Sequence, residues 1–231
     1  MTPDPASAGQ PRPNFFIVGA PKCATTALWR YLSGHPEVFM PIVKEPHHFG
    51  SDIRSPLTVE RRDRYLRLFA AAGDARAIGE ASIWYLRSED AAQEIAAFEP
   101  AARIIAMVRE PVRQIRSLHN HYVARGIEEI ADLGLALEAG TERFRGRLTG
   151  EVIVPDFLDY RRVPRYAEQL ERYRAVFPPE QIHVIVQEEF GADTPAGFAA
   201  VLRFLGVDDG YRPEFQRYGE ARRSRNRRLS R

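Results

Sequence analysis

Apolar residues along the chain occur in two patterns that alternate with each other. Short continuous apolar runs are typical of buried strands, and longer segments with apolar residues three and four positions apart are typical of amphipathic helices. Because strands alternate with helices, we predict a single-domain α/β fold with three layers, α/β/α, around a central parallel sheet. The runs predict strands at residues 15–18, 77–81, 103–109 and 182–186. The helical spacing predicts helices at residues 24–32, 58–72, 88–98, 111–125, 132–139, 164–176 and 195–205.

Length and composition favour one globular domain. The chain has 231 residues, and its net charge of +2 excludes a polyanion-binding protein by overall charge. Residues 1–13 are rich in proline and small residues and are predicted to form a disordered leader, followed by the domain at 14–219 and a basic tail at 220–231. No apolar run approaches a membrane span and no signal-peptide pattern occurs, so we expect a cytoplasmic protein with no membrane partner.

The first predicted strand leads through a tight turn into a helix. The turn, residues 19–26, reads Gly-Ala-Pro-Lys-Cys-Ala-Thr-Thr. At a helix N-terminus, free backbone N–H groups and the positive end of the helix dipole point at one spot, so this unit is predicted to bind phosphate or a group of similar shape. The P-loop of nucleotide triphosphatases reads G-x-x-x-x-G-K-[ST]. Here Lys22 comes three residues after Gly19 with no glycine directly before it, so that pattern fails.

Lysine is rare in the chain. Of 33 basic residues, only Lys22 and Lys44 are lysines, a bias that a genome rich in Arg codons explains. The lysine ammonium is a compact, mobile charge that the arginine guanidinium cannot mimic. We therefore expect Lys22 and Lys44 to have a function. The single cysteine, Cys23, excludes an internal disulfide and a cysteine-based metal cluster, and its predicted role is to fill the turn. Because His47 and His48, adjacent in one loop, do not make a metal site, no metal is expected.

Three separated segments match known motifs. Residues 21–28 fit P-K-x-x-T-[ST]-x-L, and residues 44–49 fit K-E-P-H-[YH]-F. Where the third motif has R-[DN]-P and a serine eight residues after the arginine, this chain supplies Arg109-Glu110-Pro111 and Ser117. In these motifs the chain resembles the sulfotransferases that use 3′-phosphoadenosine 5′-phosphosulfate (PAPS), particularly their heparan-sulfate-type and bacterial branch. The resemblance covers residues 15–122 well and continues more weakly beyond them.

The resemblance implies in-line transfer of a sulfuryl group from PAPS to a hydroxyl, or with less support an amine, of a small-molecule or glycan acceptor. Lys22 would stabilise the leaving 5′-phosphate, and Thr25 and Thr26 would either hold that phosphate or cap the helix. Arg109 and Ser117 would bind the 3′-phosphate, and Arg113 either assists them or is simply exposed. The implied donor-binding residues are Pro21, Lys22, Cys23, Ala24, Thr25, Thr26, Arg109 and Ser117.

The acceptor must lose a proton, so a general base is expected. By resemblance to the heparan-sulfate-type enzymes, Glu45 is the leading candidate, and His47 and His48 are rivals with a more suitable intrinsic pKa. Trp84 and Tyr85 either shape an acceptor pocket or belong to the core. Residues 127–163, where the pattern is least readable, are expected to contribute a lid.

The chain departs from the family pattern at two places. Gln114 stands where the family often has arginine, and residues 81–85 lack the lysine and proline of K-[ST]-P-x-Y, which weakens the comparison with the polysaccharide enzymes on the acceptor side.

Two other functions remain open. They are a small-molecule kinase with an altered P-loop and a non-catalytic nucleotide- or nucleic-acid-binding module. Nucleic-acid binding is supported only by the basic tail, for which the family offers another role as a loop over the nucleotide. The sequence says nothing about oligomeric state.

Overall fold

The computed structural model describes residues 10–53, 58–144 and 155–216. Most of the predicted leader, part of the predicted lid and the basic tail lie outside these residues. The strands are β1 (Phe15–Gly19), β2 (Val38–Phe39), β3 (Ala77–Ala81), β4 (Arg103–Val108) and β5 (Ile182–Val186). The helices are α1 (Thr25–Ser33), α2 (Arg62–Arg67), α3 (Ala91–Phe98), α4 (Pro111–Ala124), α5 (Leu133–Phe144), α6 (Tyr166–Arg174), α7 (Gln187–Ala192) and α8 (Thr194–Leu205). Within the described ranges, no helix combines the length and apolar character needed to cross a bilayer.

The strands form one five-stranded sheet in the order β2-β3-β1-β4-β5. Each strand is parallel to its neighbours, with Ile17 of β1 opposite Ala81 of β3 and Ile105 of β4. All residues of β1 and β3 are buried, so both faces of the sheet are covered at its centre. The predicted parallel α/β fold is confirmed.

Element boundaries differ from the prediction where contacts outside the element decide the backbone. The helix predicted at 58–72 begins only at Arg62, as α2, because Val59 is hydrogen-bonded to the loop that carries Pro46 and His48. The Val59 N–H donates to the Pro46 carbonyl at 2.8 Å, and the Val59 carbonyl contacts His48 Nδ1 at 2.6 Å. The short strand β2 and the short helix α7 were not predicted, since two and six residues are too few to establish a period.

A second, smaller apolar cluster lies beside the main core. Its residues come from α4, α5 and the segment 157–163, and Trp84 packs among them. The Trp84 ring stacks on Phe157 at 4.1 Å, and 4% of Trp84 is exposed. Tyr85 is buried in the main core. Both aromatic side chains therefore take the core role that the sequence left open.

The close packing of β3 against β1 depends on a glycine. A Cβ atom at Gly79 would overlap the Phe15 ring and the Met40 sulfur. We expect Gly79→Ala to lower the free energy of unfolding by about 1–3 kcal/mol, because the buried ring cannot move without disturbing its neighbours. Urea denaturation measures the change.

Gly191→Ala is the matched control, since a Cβ there meets nothing within 4 Å. Inside α7 that change should be neutral or stabilise by up to ~1 kcal/mol. Equal effects of the two substitutions would contradict the packing argument.

Candidate active site

Three strands end at one edge of the sheet and leave a cavity of about 930 Å³ there. The turn after β1, the turn after β4 and the first residues after β5 all contribute to its wall. This is the carboxyl edge of the parallel strands, where ligands bind in open α/β sheets. The candidate residues that line it are Lys22, Ala24, Thr25, Thr26, Glu45, Arg109, Arg113 and Ser117. Pro21, Cys23 and His47 are adjacent to these but are not part of the lining.

The turn between β1 and α1 leaves backbone donors available for an anion. Lys22 and Ala24 adopt left-handed conformations, with φ of 63° and 66°. Alternation of this kind turns successive N–H groups toward one concave spot. Ala24 is the N-cap of α1 and supplies no side-chain hydrogen bond, so its side chain does not occupy the first N–H groups of the helix. The turn therefore has the geometry of an anion-binding loop.

Two side chains from the second motif brace this turn. Gln114 Nε2 donates to the Pro21 carbonyl at 3.0 Å, and an Arg109 Nη donates to the Lys22 carbonyl at 3.3 Å. Gln114 is fully buried, so its amide is a structural support at the position where the family often has arginine. Cys23 is buried too, and burial raises the pKa of its thiol to about 12. The thiol therefore fills the turn and is not a nucleophile.

Positive charge is concentrated around Lys22. Burial lowers the pKa of Lys22, and the charges of Arg125 and Arg109 lower it further. Arg109 Nε is buried without a hydrogen-bond partner among the described residues, and it lies 3.9 Å from a Glu188 carboxylate oxygen. Cations gathered in a cavity in this way are typical of an anion-binding site.

One face of α4 lines the cavity along its length. Arg113, Ser117 and His121 are spaced four residues apart, and Arg125 follows at the C-cap. Burial lowers the pKa of His121, with further lowering from Lys22 and Arg125. His121 and Arg125 were not predicted, although the four-residue spacing from Arg113 and Ser117 was a signal for them.

The N-terminus of α4 is already occupied. Glu110 caps the helix by accepting hydrogen bonds from Val112 N at 2.9 Å and Arg113 N at 2.8 Å. These two N–H groups are therefore not available to an anion. Any anion beside α4 is held by side chains.

The segment 44–49 brings Glu45 to the cavity between two partners. Its carboxylate accepts a hydrogen bond from Lys44 and lies 3.5 Å from His47 Nε2. Burial raises the pKa of Glu45, but the hydrogen bond with His47 and the positive charge of Lys44 outweigh this and bring it to about 2.

The two histidines of this segment have different surroundings. His47 is buried next to Glu45, whereas His48 stacks on Tyr65 at 4.1 Å and contacts the Val59 carbonyl. Of the proposed bases, Glu45 lines the cavity, and His47 contacts the Glu45 carboxylate without lining the cavity itself. His48 packs against the core residue Tyr65. Among the described residues, no group of three or more His, Cys, Asp or Glu side chains could hold a metal ion.

Comparison with known proteins identifies the family. A sulfotransferase of known structure from Alicyclobacillus acidocaldarius is 36% identical, with a TM-score of 0.82 over 91% of this chain and 87% of that one. The chain belongs to the sulfotransferase family. No protein-family model matches it.

More distant sulfotransferases extend the comparison. The bifunctional heparan sulfate N-deacetylase/N-sulfotransferase 4 of Mus musculus is 27% identical over 86% of this chain. This chain spans 23% of that relative's length. The mouse sulfotransferase SULT7A1, solved as a complex with PAP, shares the fold at 14% identity, with a TM-score of 0.53 over 89% of this chain and 62% of that one.

The low pKa of Glu45 in this sulfotransferase has a consequence for stability. A carboxyl whose pKa falls from 4.5 to about 2 on folding stabilises the fold above pH 4.5, and this contribution is lost as the pH falls toward 2. We expect the stability advantage of the wild type over Glu45→Gln to shrink across that range. Urea denaturation between about pH 3 and pH 6 measures it. A stability difference between wild type and Glu45→Gln that stays constant across this range would contradict the lowered pKa of Glu45.

Proposed function

We propose that this sulfotransferase transfers a sulfuryl group from PAPS to an acceptor hydroxyl, with an amine as the less supported alternative. The observation that carries the proposal is the presence of two cationic subsites in one cavity. One is the turn around Lys22, and the other is formed by Arg109, Arg113 and Ser117. A donor with a 5′-phosphosulfate and a 3′-phosphate needs two such sites, whereas a donor with one phosphate chain needs one.

The donor is assigned to these subsites by charge and by hydrogen-bonding groups. Thr25, Thr26 and the free N–H groups of the α1 N-terminus suit the 5′-phosphate. The planar guanidinium of Arg109 suits the 3′-phosphate oxygens, and the Ser117 hydroxyl adds a donor beside it. The PAP complex of a sulfotransferase with the same fold supports this choice of nucleotide.

Transfer requires that the leaving phosphate be stabilised and that the acceptor lose a proton. Lys22, half-buried in the turn, is the cation for charge that develops on the bridging oxygen. Glu45 lines the same cavity and takes the acceptor proton, while His47 contacts its carboxylate. The S–O bond to the phosphate breaks as the acceptor oxygen bonds to sulfur. The products are 3′-phosphoadenosine 5′-phosphate (PAP) and a sulfated acceptor.

The acceptor is proposed to be a small molecule or a glycan. The relatives include a heparan sulfate N-sulfotransferase and a carbohydrate sulfotransferase, and their names support a glycan acceptor. Ile83, His121 and Arg125 line the cavity and are available to contact it. The cytoplasmic location stays a prediction from the sequence.

The 3′-phosphate subsite can be tested by comparing two nucleotides. We expect Ser117→Ala to weaken PAP binding about tenfold and to leave binding of 5′-AMP unchanged, because only PAP carries the 3′-phosphate. Calorimetric titration measures both affinities. Ser33→Ala, on α1 with its hydroxyl bonded to the Trp29 carbonyl, is the matched control and should change neither. Tighter binding of ATP with Mg²⁺ than of PAP would instead favour the kinase alternative.

The chemical roles can be separated by turnover and binding. We expect Glu45→Gln to lower kcat by about 10²–10⁴ while PAP affinity is kept, because the amide cannot take a proton. Lys22→Ala should lower transfer by about 10²–10³ through loss of charge stabilisation at the leaving oxygen. Transfer from radiolabelled PAPS is measured on phenols, sugars and amino-alcohols.

Glu180→Gln is the control for the loss of a carboxylate, since Glu180 precedes β5 at the opposite edge of the sheet. It should retain full activity. Full activity of Glu45→Gln would show that the base assignment is wrong.

A further inference from the structure

A carboxyl group is buried in the sheet directly beneath the segment that carries Glu45. Glu80, in β3, has no exposed surface. Three hydroxyls donate to its carboxylate: Ser82 at 2.6 Å, Tyr65 at 2.7 Å and Tyr85 at 3.1 Å. Burial raises the pKa of Glu80, and these hydrogen bonds oppose that increase. A buried carboxyl of this kind is costly, and packing alone does not account for it.

Two of the three hydroxyls also hold the backbone of segment 44–49. Ser82 Oγ accepts the His47 N–H at 3.1 Å, and Tyr85 Oη accepts the Phe49 N–H at 3.2 Å. Each hydroxyl thus lies between a backbone N–H and the Glu80 carboxylate. A further bond, from Glu45 N to the Ala81 carbonyl at 2.9 Å, ties the start of the segment to the end of β3.

The backbone that these bonds hold is one that ordinary residues rarely adopt. Glu45 has φ of 65° and His47 has φ of 47°. Neither residue is glycine, so both conformations are disfavoured locally and persist only where surrounding contacts determine them. The hydrogen bonds to Ala81, Ser82 and Tyr85 are such contacts.

We propose that Glu80 is a positioning residue that holds Glu45 at the cavity, and His47 against Glu45, through the hydroxyls of Ser82 and Tyr85. A carboxylate only accepts hydrogen bonds, so it orients the single proton of each hydroxyl toward itself. The lone pairs of both hydroxyls are then turned toward His47 N and Phe49 N. An amide at position 80 presents an NH₂ group on one side and cannot orient both hydroxyls in this way.

The consequence for catalysis rests on the proposed function. If Glu45 takes the acceptor proton, its carboxylate must lie within hydrogen-bond reach of the acceptor oxygen. Loss of either hydroxyl leaves a buried N–H without its partner and allows the segment to leave its left-handed conformations. The donor site, built from the turn after β1 and from α4, does not depend on these bonds. Catalytic turnover and donor binding should therefore separate.

The test compares three variants with a matched control. Ser82→Ala, Tyr85→Phe and Glu80→Gln each remove a different link between the carboxylate and the segment. Tyr173→Phe is the control, because Tyr173 is also fully buried and its hydroxyl donates to a backbone carbonyl, that of Tyr85, at 3.0 Å. Amide hydrogen exchange of residues 44–50 is measured for every variant, and kcat and PAP affinity are measured in parallel.

We expect exchange at His47 and Phe49 to be faster in the three variants than in Tyr173→Phe. We also expect kcat to fall about tenfold or more, since small misplacements of a catalytic group cost this much. PAP affinity should stay within about twofold of wild type, because the donor contacts are intact. Exchange rates in this segment that match the control would overturn the positioning role.

The proposed function and the positioning role of Glu80 are contradicted by different results. A wild-type chain that neither binds PAP nor transfers a sulfuryl group would contradict the proposed function, while the exchange measurement still decides the role of Glu80. Wild-type transfer together with unchanged kcat in all three variants would contradict the catalytic consequence alone.

Discussion

The pairing of β1 with β4 places two strand ends next to each other, and the geometry of the cavity depends on it. The register runs from Phe15 opposite Arg103 to Ile17 opposite Ile105, shifts by one residue so that Gly19 lies opposite Ala106, and is followed by a hydrogen bond of 2.6 Å from Ala20 N to the Met107 carbonyl. Arg109 and Gln114 reach carbonyls of the first turn because their own turn begins at the adjacent strand end. Two motifs separated by 87 residues, the sequence distance between Lys22 and Arg109, thus line one cavity.

The fold was largely predictable because its central strands are buried, completely in β1 and β3 and over most of β4. A strand covered on both faces is a continuous apolar run, and β1, β3, β4 and β5 all match predicted strands within one residue at each end. Where the prediction failed, a distant contact determined the backbone. The residues before α2 are bonded to the loop that carries Pro46 and His48, and no local pattern encodes that interaction.

The candidate site was predictable in its motifs and less so in its supports. Lys22, Thr25, Arg109 and Ser117 stand in segments with a recognisable spacing, and all four line the cavity. Glu80 was missed because one acidic residue in a short apolar strand has no spacing partner in sequence. Its partners are at positions 65, 82 and 85, and only the fold brings their hydroxyls together. A charged residue inside a predicted buried strand was nevertheless a signal, since such groups are rarely buried without a role.

The low pKa of Glu45 bears on how a weak base could take a proton in the proposed reaction. With Lys44 and His47 as its partners, Glu45 is ionised, which a base must be, but its affinity for a proton is small. An acceptor hydroxyl that reaches the carboxylate competes with these partners for its oxygens. Each contact that it displaces raises the pKa of Glu45 toward the ordinary range, because the lowering comes from those same partners. Negative charge bound beside Lys22 acts in the same direction. The basicity of Glu45 should therefore be greatest when donor and acceptor are both in the cavity, which would limit unproductive proton transfer before the complex is complete.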